Sequence, residues 1–93
     1  MKAIWNDTVI AESDATILIE GNHYFPFDSI NTQFFHKSTH TSTCGWKGLA
    51  SYYTVNVNGK ENTNAAWVYQ TPKEAAVEIK EYVAFWQGIT VTD

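Results

Sequence analysis

Ninety-three residues bound the chain to one small domain over residues 1–93, and 44% hydrophobic with 15% aromatic residues supply a packed core. Six lysines, ten carboxylates and no arginine give a net charge of −4 with no basic cluster, which excludes the electrostatic footprint of a nucleic-acid binder. One cysteine excludes an intramolecular disulfide and a four-thiolate zinc site, and the opening Met1–Asp7 lacks the apolar run of a signal peptide or membrane span, so a reducing, cytoplasmic setting without membrane association is expected.

Short strands and tight turns lead the chain. Lys2–Trp5 and Thr8–Glu12 flank Asn6-Asp7, two residues that tolerate left-handed backbone and so predict a hairpin. Thr16–Glu20 alternates Thr16, Leu18 and Glu20 against Ile17 and Ile19, which predicts a strand with one buried face. Gly21-Asn22 reads as the next turn, and His23–Pro26 as a strand that proline must end or hold at an edge. Asp28 or Ser29 is a candidate cap for a short helical turn reaching Phe34-Phe35, and the polar, unpatterned His36–Ser42 predicts an exposed loop.

From Gly48 to Val57, Tyr53, Val55 and Val57 share one face of a predicted strand, with Tyr52, Thr54 and Asn56 on the other. Asn58-Gly59 is the strongest turn signal in the chain, and the return strand holds Ala66–Tyr69. One helix is predicted over Pro72–Glu81. Thr71 would cap it, Pro72 would sit at its first position, Ala75, Ala76, Ile79 and Tyr82 or Val83 would face inward, and Glu74, Glu78 and Glu81 would face water. Tyr82–Trp86 suits a strand, and Gln87-Gly88 before Ile89–Val91 reads as a closing hairpin.

The densest chemistry lies in Thr43–Tyr53, where the only cysteine, a Trp-Lys pair between two glycines and two adjacent tyrosines fall within eleven residues. Cys44-Gly45-Trp46-Lys47-Gly48-Leu49-Ala50-Ser51-Tyr52 resembles the Cys-Pro-Trp-Lys-Gly-x-Ala-x-Tyr signature of the domain of unknown function 427 family, with Gly45 where that family usually has proline. Tyr24-Phe25-Pro26 with Asp28, Ala65-Ala66-Trp67 with Tyr69 and Pro72, and Tyr82–Phe85 resemble its other landmarks in order, so the likeness covers nearly the whole chain. The resemblance implies a mainly β domain with one helix. It also implies a small cupped antiparallel sheet of β-tent-like architecture, here without structural zinc. The nucleotidyltransferase label sometimes attached to the family would require a Gly-Ser turn and an Asp-x-Asp pair holding Mg²⁺. The nearest stretch, Glu12-Ser13-Asp14, has no Gly-Ser ahead of it.

Several constellations can carry function, and each has a structural reading beside it. Cys44 is a catalytic candidate if Lys47 or His40 lowers its pKa, and otherwise a small buried hydrophobe; no second cysteine is present to resolve an oxidised thiol. His36, His40 and Cys44 recur every fourth residue, with His23 as a possible spatial neighbour. In an extended chain each step spans roughly 13 Å, too far to share an ion, so no metal is assigned beyond the weak candidates His36 and His40. Tyr24, Trp46, Lys47, Tyr52, Trp67 and Tyr69 are the ligand-binding candidates, because aromatic rings with polar handles bury area while fixing orientation; the same rings also fill small cores. Lys47 would meet an anionic ligand, a carbonyl substrate, solvent or an internal carboxylate, for which the shared landmarks point to Asp28. No P-loop, dinucleotide fingerprint or Gly-x-Ser-x-Gly elbow is present, so no cofactor is expected. The leading expectation is a module binding a small molecule or peptide around Trp46 and Lys47. The alternative is an enzyme using Cys44 or Lys47 as nucleophile or acid/base, and a scaffold role comes third.

Overall fold

Left-handed turn residues set the strand order. In the computed structural model, which describes residues 1–93, Asn6 (φ 50°) and Asp7 (φ 58°) join β1 (Lys2–Trp5) to β2 (Thr8–Glu12) with Trp5 opposite Thr8. Asn58 (φ 53°) and Gly59 (φ 81°) likewise join β6 (Gly48–Val57) to β7 (Lys60–Val68). Two consecutive positive φ values match the twist of antiparallel strands, which is why Asn, Asp and Gly recur there. The turn between β3 (Ile17–Ile19) and β4 (Asn22–Pro26) falls one residue earlier than expected, on Glu20 (φ 52°) and Gly21 (φ 81°). That shift places a carboxylate in the turn itself.

The chain is mainly β, with 58% of residues in strands and two antiparallel sheets in place of a single one. One sheet has three strands in the order β2-β1-β9, with β9 at Thr90–Thr92; the other has six in the order β3-β4-β8-β7-β6-β5. Strand β5 spans Phe35–Cys44 and β8 spans Tyr82–Phe85. Gln87-Gly88 does turn the backbone, with φ 56° and 84°. However, the strand beyond it crosses to β1 and leaves β8, so the expected closing hairpin is instead a link between the sheets.

Alternation along the strands gives the six-stranded sheet two apolar faces. Phe25, Tyr53, Val55, Val57, Val68, Val83 and Phe85 belong to a fourteen-residue cluster with Ala3, Ile10 and Ala11 of the small sheet. Tyr24, Ala50, Tyr69 and Ala84 belong to a six-residue cluster completed by Ala76 and Ile79. The period of two that put Tyr53 and Tyr52 on opposite faces therefore builds two small cores back to back.

Two regions depart from the sequence reading. His36–Ser42 is strand, because β5 pairs with β6 from Phe35↔Val55 to Cys44↔Gly48; it is an exposed edge, so its side chains show no burial pattern. The Pro72–Glu81 helix is replaced by six residues of 3₁₀ backbone, Glu74–Ile79, interrupted at Ala76 (φ −121°, ψ 20°). Lys73 rather than Thr71 precedes it, no side chain caps it, and only Ala76 and Ile79 are buried while Ala75 is exposed. Both ends are tethered: the Lys73 amide donates to the Lys47 carbonyl (2.9 Å) and the Glu81 amide to the Tyr69 carbonyl (3.0 Å). Between those tethers the chain forms 3₁₀ backbone, broken at Ala76, rather than an α-helix. The early helical turn is also two 3₁₀ pieces, Phe27–Ser29 and Thr32–Phe34, preceded by Pro26 and Asn31 without side-chain caps.

The 3₁₀ segment is stapled to the β5–β6 turn through Gly48. Gly48 has φ 109°, and a Cβ there would stand 3.3 Å from the Lys73 backbone nitrogen. Gly48→Ala should therefore cost about 2–3 kcal/mol, from strain plus displacement of Pro72-Lys73. Gly21→Ala, with φ 81° and open space around it, should lose only about 1 kcal/mol. Urea unfolding of the two variants checks this; equal losses would mean that the Lys73 staple contributes nothing.

Candidate functional site

Lys47 sits in a three-residue turn, Gly45-Trp46-Lys47, between the paired Cys44 and Gly48. Its side chain is only 9% exposed, and its ammonium donates to Glu20 Oε1 in the only ion pair of the structure. Asp28 is therefore not the partner. Glu20 and Asp28 lie beyond opposite ends of β4, and the Lys47 turn meets the Glu20 end. The ammonium also lies over two rings, 5.2 Å from the Trp46 centroid and 5.7 Å from that of Tyr69. Such contacts stabilise a cation that has lost most of its water. A second lysine completes the turn: Lys73 Nζ donates to the Gly45 carbonyl at 2.7 Å.

An open aromatic cavity of about 220 Å³ lies beside Lys47, lined by Lys47, Tyr52, Trp67, Tyr69 and Trp86. Tyr52, Trp67 and Ala84 are register partners across β6, β7 and β8, so their side chains share one face of the sheet. The small Ala84 adds little bulk to that row, and Trp86, two residues on, borders the space left. Trp67 and Trp86 meet edge to face at 5.9 Å. Each ring is held from behind by its polar atom. Trp67 Nε1 donates to Tyr24 Oη (3.3 Å), Trp86 Nε1 to the Asn64 carbonyl (2.6 Å), and Tyr52 Oη shares a hydrogen bond with Ser42 Oγ (2.9 Å). The His40 ring lies 4.6 Å from that of Tyr52.

Four of the six residues singled out as ligand candidates thus line one cavity. Tyr24 does not; it is fully buried behind Trp67 and orients that indole. Trp46 stands beside the cavity, 40% exposed, on the Lys47 cation. Trp86 lines the cavity without being among the sequence candidates, although alternation from Tyr82 through Ala84 to Trp86 puts all three on one face, opposite Val83 and Phe85. The histidines do not converge. His23 Nδ1 bonds Thr16 Oγ1 at 3.1 Å, a bulge in β5 separates His36 from His40, and no three His, Cys, Asp or Glu side chains form a metal-binding group.

The electrostatics separate the two catalytic candidates. For Lys47, burial works against the charge, but the hydrogen bond to Glu20 and the fields of Tyr24 and Tyr69 outweigh it and raise its pKa. A nucleophilic amine requires the opposite shift. The Cys44 thiol is held below its ordinary value, chiefly by the backbone amides of Lys47 and Trp46. It is partly buried and packs against the smaller core cluster. Desolvation raises the phenol pKa of Tyr53 and that of Tyr69, with Lys47 opposing it at Tyr69.

Comparison with known proteins adds one finding: the family model described as Domain of unknown function (DUF427) matches residues 1–92. No curated protein matches the chain.

Two outcomes follow from this geometry. Lys47→Met keeps the packed stem and releases Glu20, which is 56% exposed and rehydrates, so the loss should stay within about 1 kcal/mol. Glu20→Gln leaves a buried ammonium facing a neutral amide and should cost more, about 1–2 kcal/mol. A reversed order in chemical denaturation would show that Glu20, not Lys47, bears the desolvation. Lys47, Tyr53 and Tyr69 all hold their protons more tightly when folded, so their stabilisation is intact below the unfolded pKa values of about 10 and is lost as pH rises beyond them. The urea midpoint should fall as pH rises above about 10; a flat or rising midpoint there would contradict the three shifts.

Proposed function

The chain belongs to the domain of unknown function 427 family, and from that premise we propose that it is a binding module whose site is the aromatic cavity beside Lys47. The observation that carries this reading is the tethering of Trp67, Trp86 and Tyr52 by hydrogen bonds from outside the cavity. Rings fixed before a ligand arrives lose little side-chain entropy on binding. The volume of about 220 Å³ lies below the roughly 300–1,000 Å³ usual for drug-sized ligands, which suits one planar ring or a single peptide side chain. Lys47 has three N–H donors and Glu20 takes one, so the ammonium can still donate to an acceptor on the ligand. The occupant is accordingly a small planar group bearing a carbonyl or carboxylate.

The enzyme alternative rests on the lowered pKa of the Cys44 thiol alone. Lys47 cannot share that role at neutral pH, because its ammonium is stabilised rather than deprotonated. Cys44 is the only cysteine, so a redox cycle would have no resolving thiol within the chain.

The binding reading is tested with small ring compounds carrying a carbonyl or carboxylate, set against the same rings without it, by thermal shift and tryptophan fluorescence. An acceptor-bearing compound at 100 times its dissociation constant should add about 2.7 kcal/mol, hence a midpoint rise of about 10 °C or more. Trp86→Ala should abolish the rise, while Lys47→Met should erase the preference for the acceptor. Binding that persists undiminished in both variants would remove the cavity from consideration.

A further inference from the structure

On the opposite face of the six-stranded sheet lies a second cleft, which shares no lining residue with the aromatic cavity. It encloses about 270 Å³ and is lined by Phe27, Lys37, Tyr53, Val68, Gln70 and Glu81. Five successive parts of the fold contribute: the turn after β4, strands β5 and β6, the end of β7, and the residue leading into β8. Lys37 and Tyr53 are direct register partners across β5 and β6, so their backbones are fixed relative to each other. Glu81 is held in left-handed backbone (φ 63°) with its amide on the Tyr69 carbonyl, which pins the position from which its carboxylate projects.

The lining combines two exposed charges with polar and apolar wall. Lys37 and Glu81 carry opposite charges, yet neither takes part in an ion pair, since Lys47–Glu20 is the only one. Tyr53, 7% exposed, is one of the lining residues, and desolvation raises its phenol pKa. Glu81 lies close enough to add to the rise in the Tyr53 pKa, so the two groups share one electrostatic environment. Phe27, 44% exposed, and the buried Val68 supply apolar wall. A smaller adjoining hollow of about 100 Å³ shares Lys37, Tyr53 and Gln70 with it and reaches Tyr52, a wall of the aromatic cavity.

We propose that this cleft binds a small zwitterion of the amino-acid type with an apolar side chain. Lys37 receives the carboxylate, the Tyr53 hydroxyl and Gln70 amide hydrogen-bond it, Glu81 receives the ammonium, and the side chain lies against Phe27 and Val68. A ligand carrying both charges satisfies both ends at once, whereas an anion or a cation alone leaves one protein charge unanswered. Charge-assisted hydrogen bonds at the two ends then give orientation as well as affinity.

The probes are L-leucine and L-phenylalanine, compared with N-acetyl-L-phenylalanine, which lacks the ammonium, and L-phenylalanine amide, which lacks the carboxylate. Binding is read by amide chemical-shift changes and by calorimetry at millimolar ligand. The expected result is saturable shifts at Lys37, Tyr53, Gln70 and Glu81 with the free amino acids, weakened about tenfold or more by removing either charge from the ligand. Lys37→Met and Glu81→Gln, both at exposed positions and so compatible with folding, should each weaken binding to a similar degree, while Trp86→Ala should leave it unchanged. Absence of saturable shifts with both amino acids, equal binding of the acetylated or amidated analogue, or shifts confined to the aromatic cavity would each overturn the assignment. Because Trp86→Ala disables only the aromatic cavity, failure here and failure of the function proposed above give different results.

Discussion

Three distant segments of the chain converge on the buried Lys47. A cation that is 9% exposed must have its charge answered, and the answer comes from Glu20, twenty-seven residues earlier. Satisfying it brings the β3–β4 turn against the β5–β6 turn. Lys73 then closes the arrangement from a third direction, with its backbone amide on the Lys47 carbonyl and its ammonium on the Gly45 carbonyl. Three chain segments far apart in sequence are thereby fixed around one charge. The rings of Trp46 and Tyr69 take positions that stabilise it further.

The candidate site exists because the two faces of the large sheet are covered unequally. One face is covered over most of its strands by the three-stranded sheet, which contributes Ala3, Ile10 and Ala11 to the larger core and leaves the cleft at Tyr53 and Val68 uncovered. The other receives only the 3₁₀ segment, which buries Ala76 and Ile79 and nothing more. Six residues cannot cover a face that carries Tyr24, Tyr52, Trp67, Ala84 and Trp86. The aromatic side chains beyond their reach stay half exposed and form the cavity wall. A full α-helix over Pro72–Glu81 would have covered more of that face, so the short, tethered 3₁₀ backbone is part of what leaves the site open.

Irregularities in the strands place the polar atoms that hold those rings. Two additional residues in β5 between Lys37 and Thr41 carry His40 onto Tyr52, and Ser42 reaches its hydroxyl. Two additional residues in β7 opposite Tyr53 and Val55 put Asn64 in left-handed backbone (φ 54°), where its carbonyl accepts the Trp86 indole. Bulges commonly re-aim side chains in this way without ending the pairing of the strands. The domain thus keeps long ladders for stability while presenting its tryptophans in fixed orientations.

Local chemistry was enough to read the strands whose side chains alternate, the Asn6-Asp7 and Asn58-Gly59 turns, the family, and four of the cavity residues, because period-two burial and left-handed turn preference act over a few residues. Residues that depend on a distant partner were not legible. The polar run His36–Ser42 is strand only because β6 supplies its hydrogen bonds. Pro72–Glu81 has helical spacing, but its backbone is tied to Lys47 and Tyr69, far away in sequence, and runs as 3₁₀ between them. The partner of Lys47 turned on which end of β4 meets the β5–β6 turn, a choice between Glu20 and Asp28 that no local pattern encodes. Local residue chemistry sets which side chains could pair, stack or turn; which of them meet depends on how distant segments pack, since a buried charge and a ladder edge are satisfied only by groups that folding brings from elsewhere in the chain.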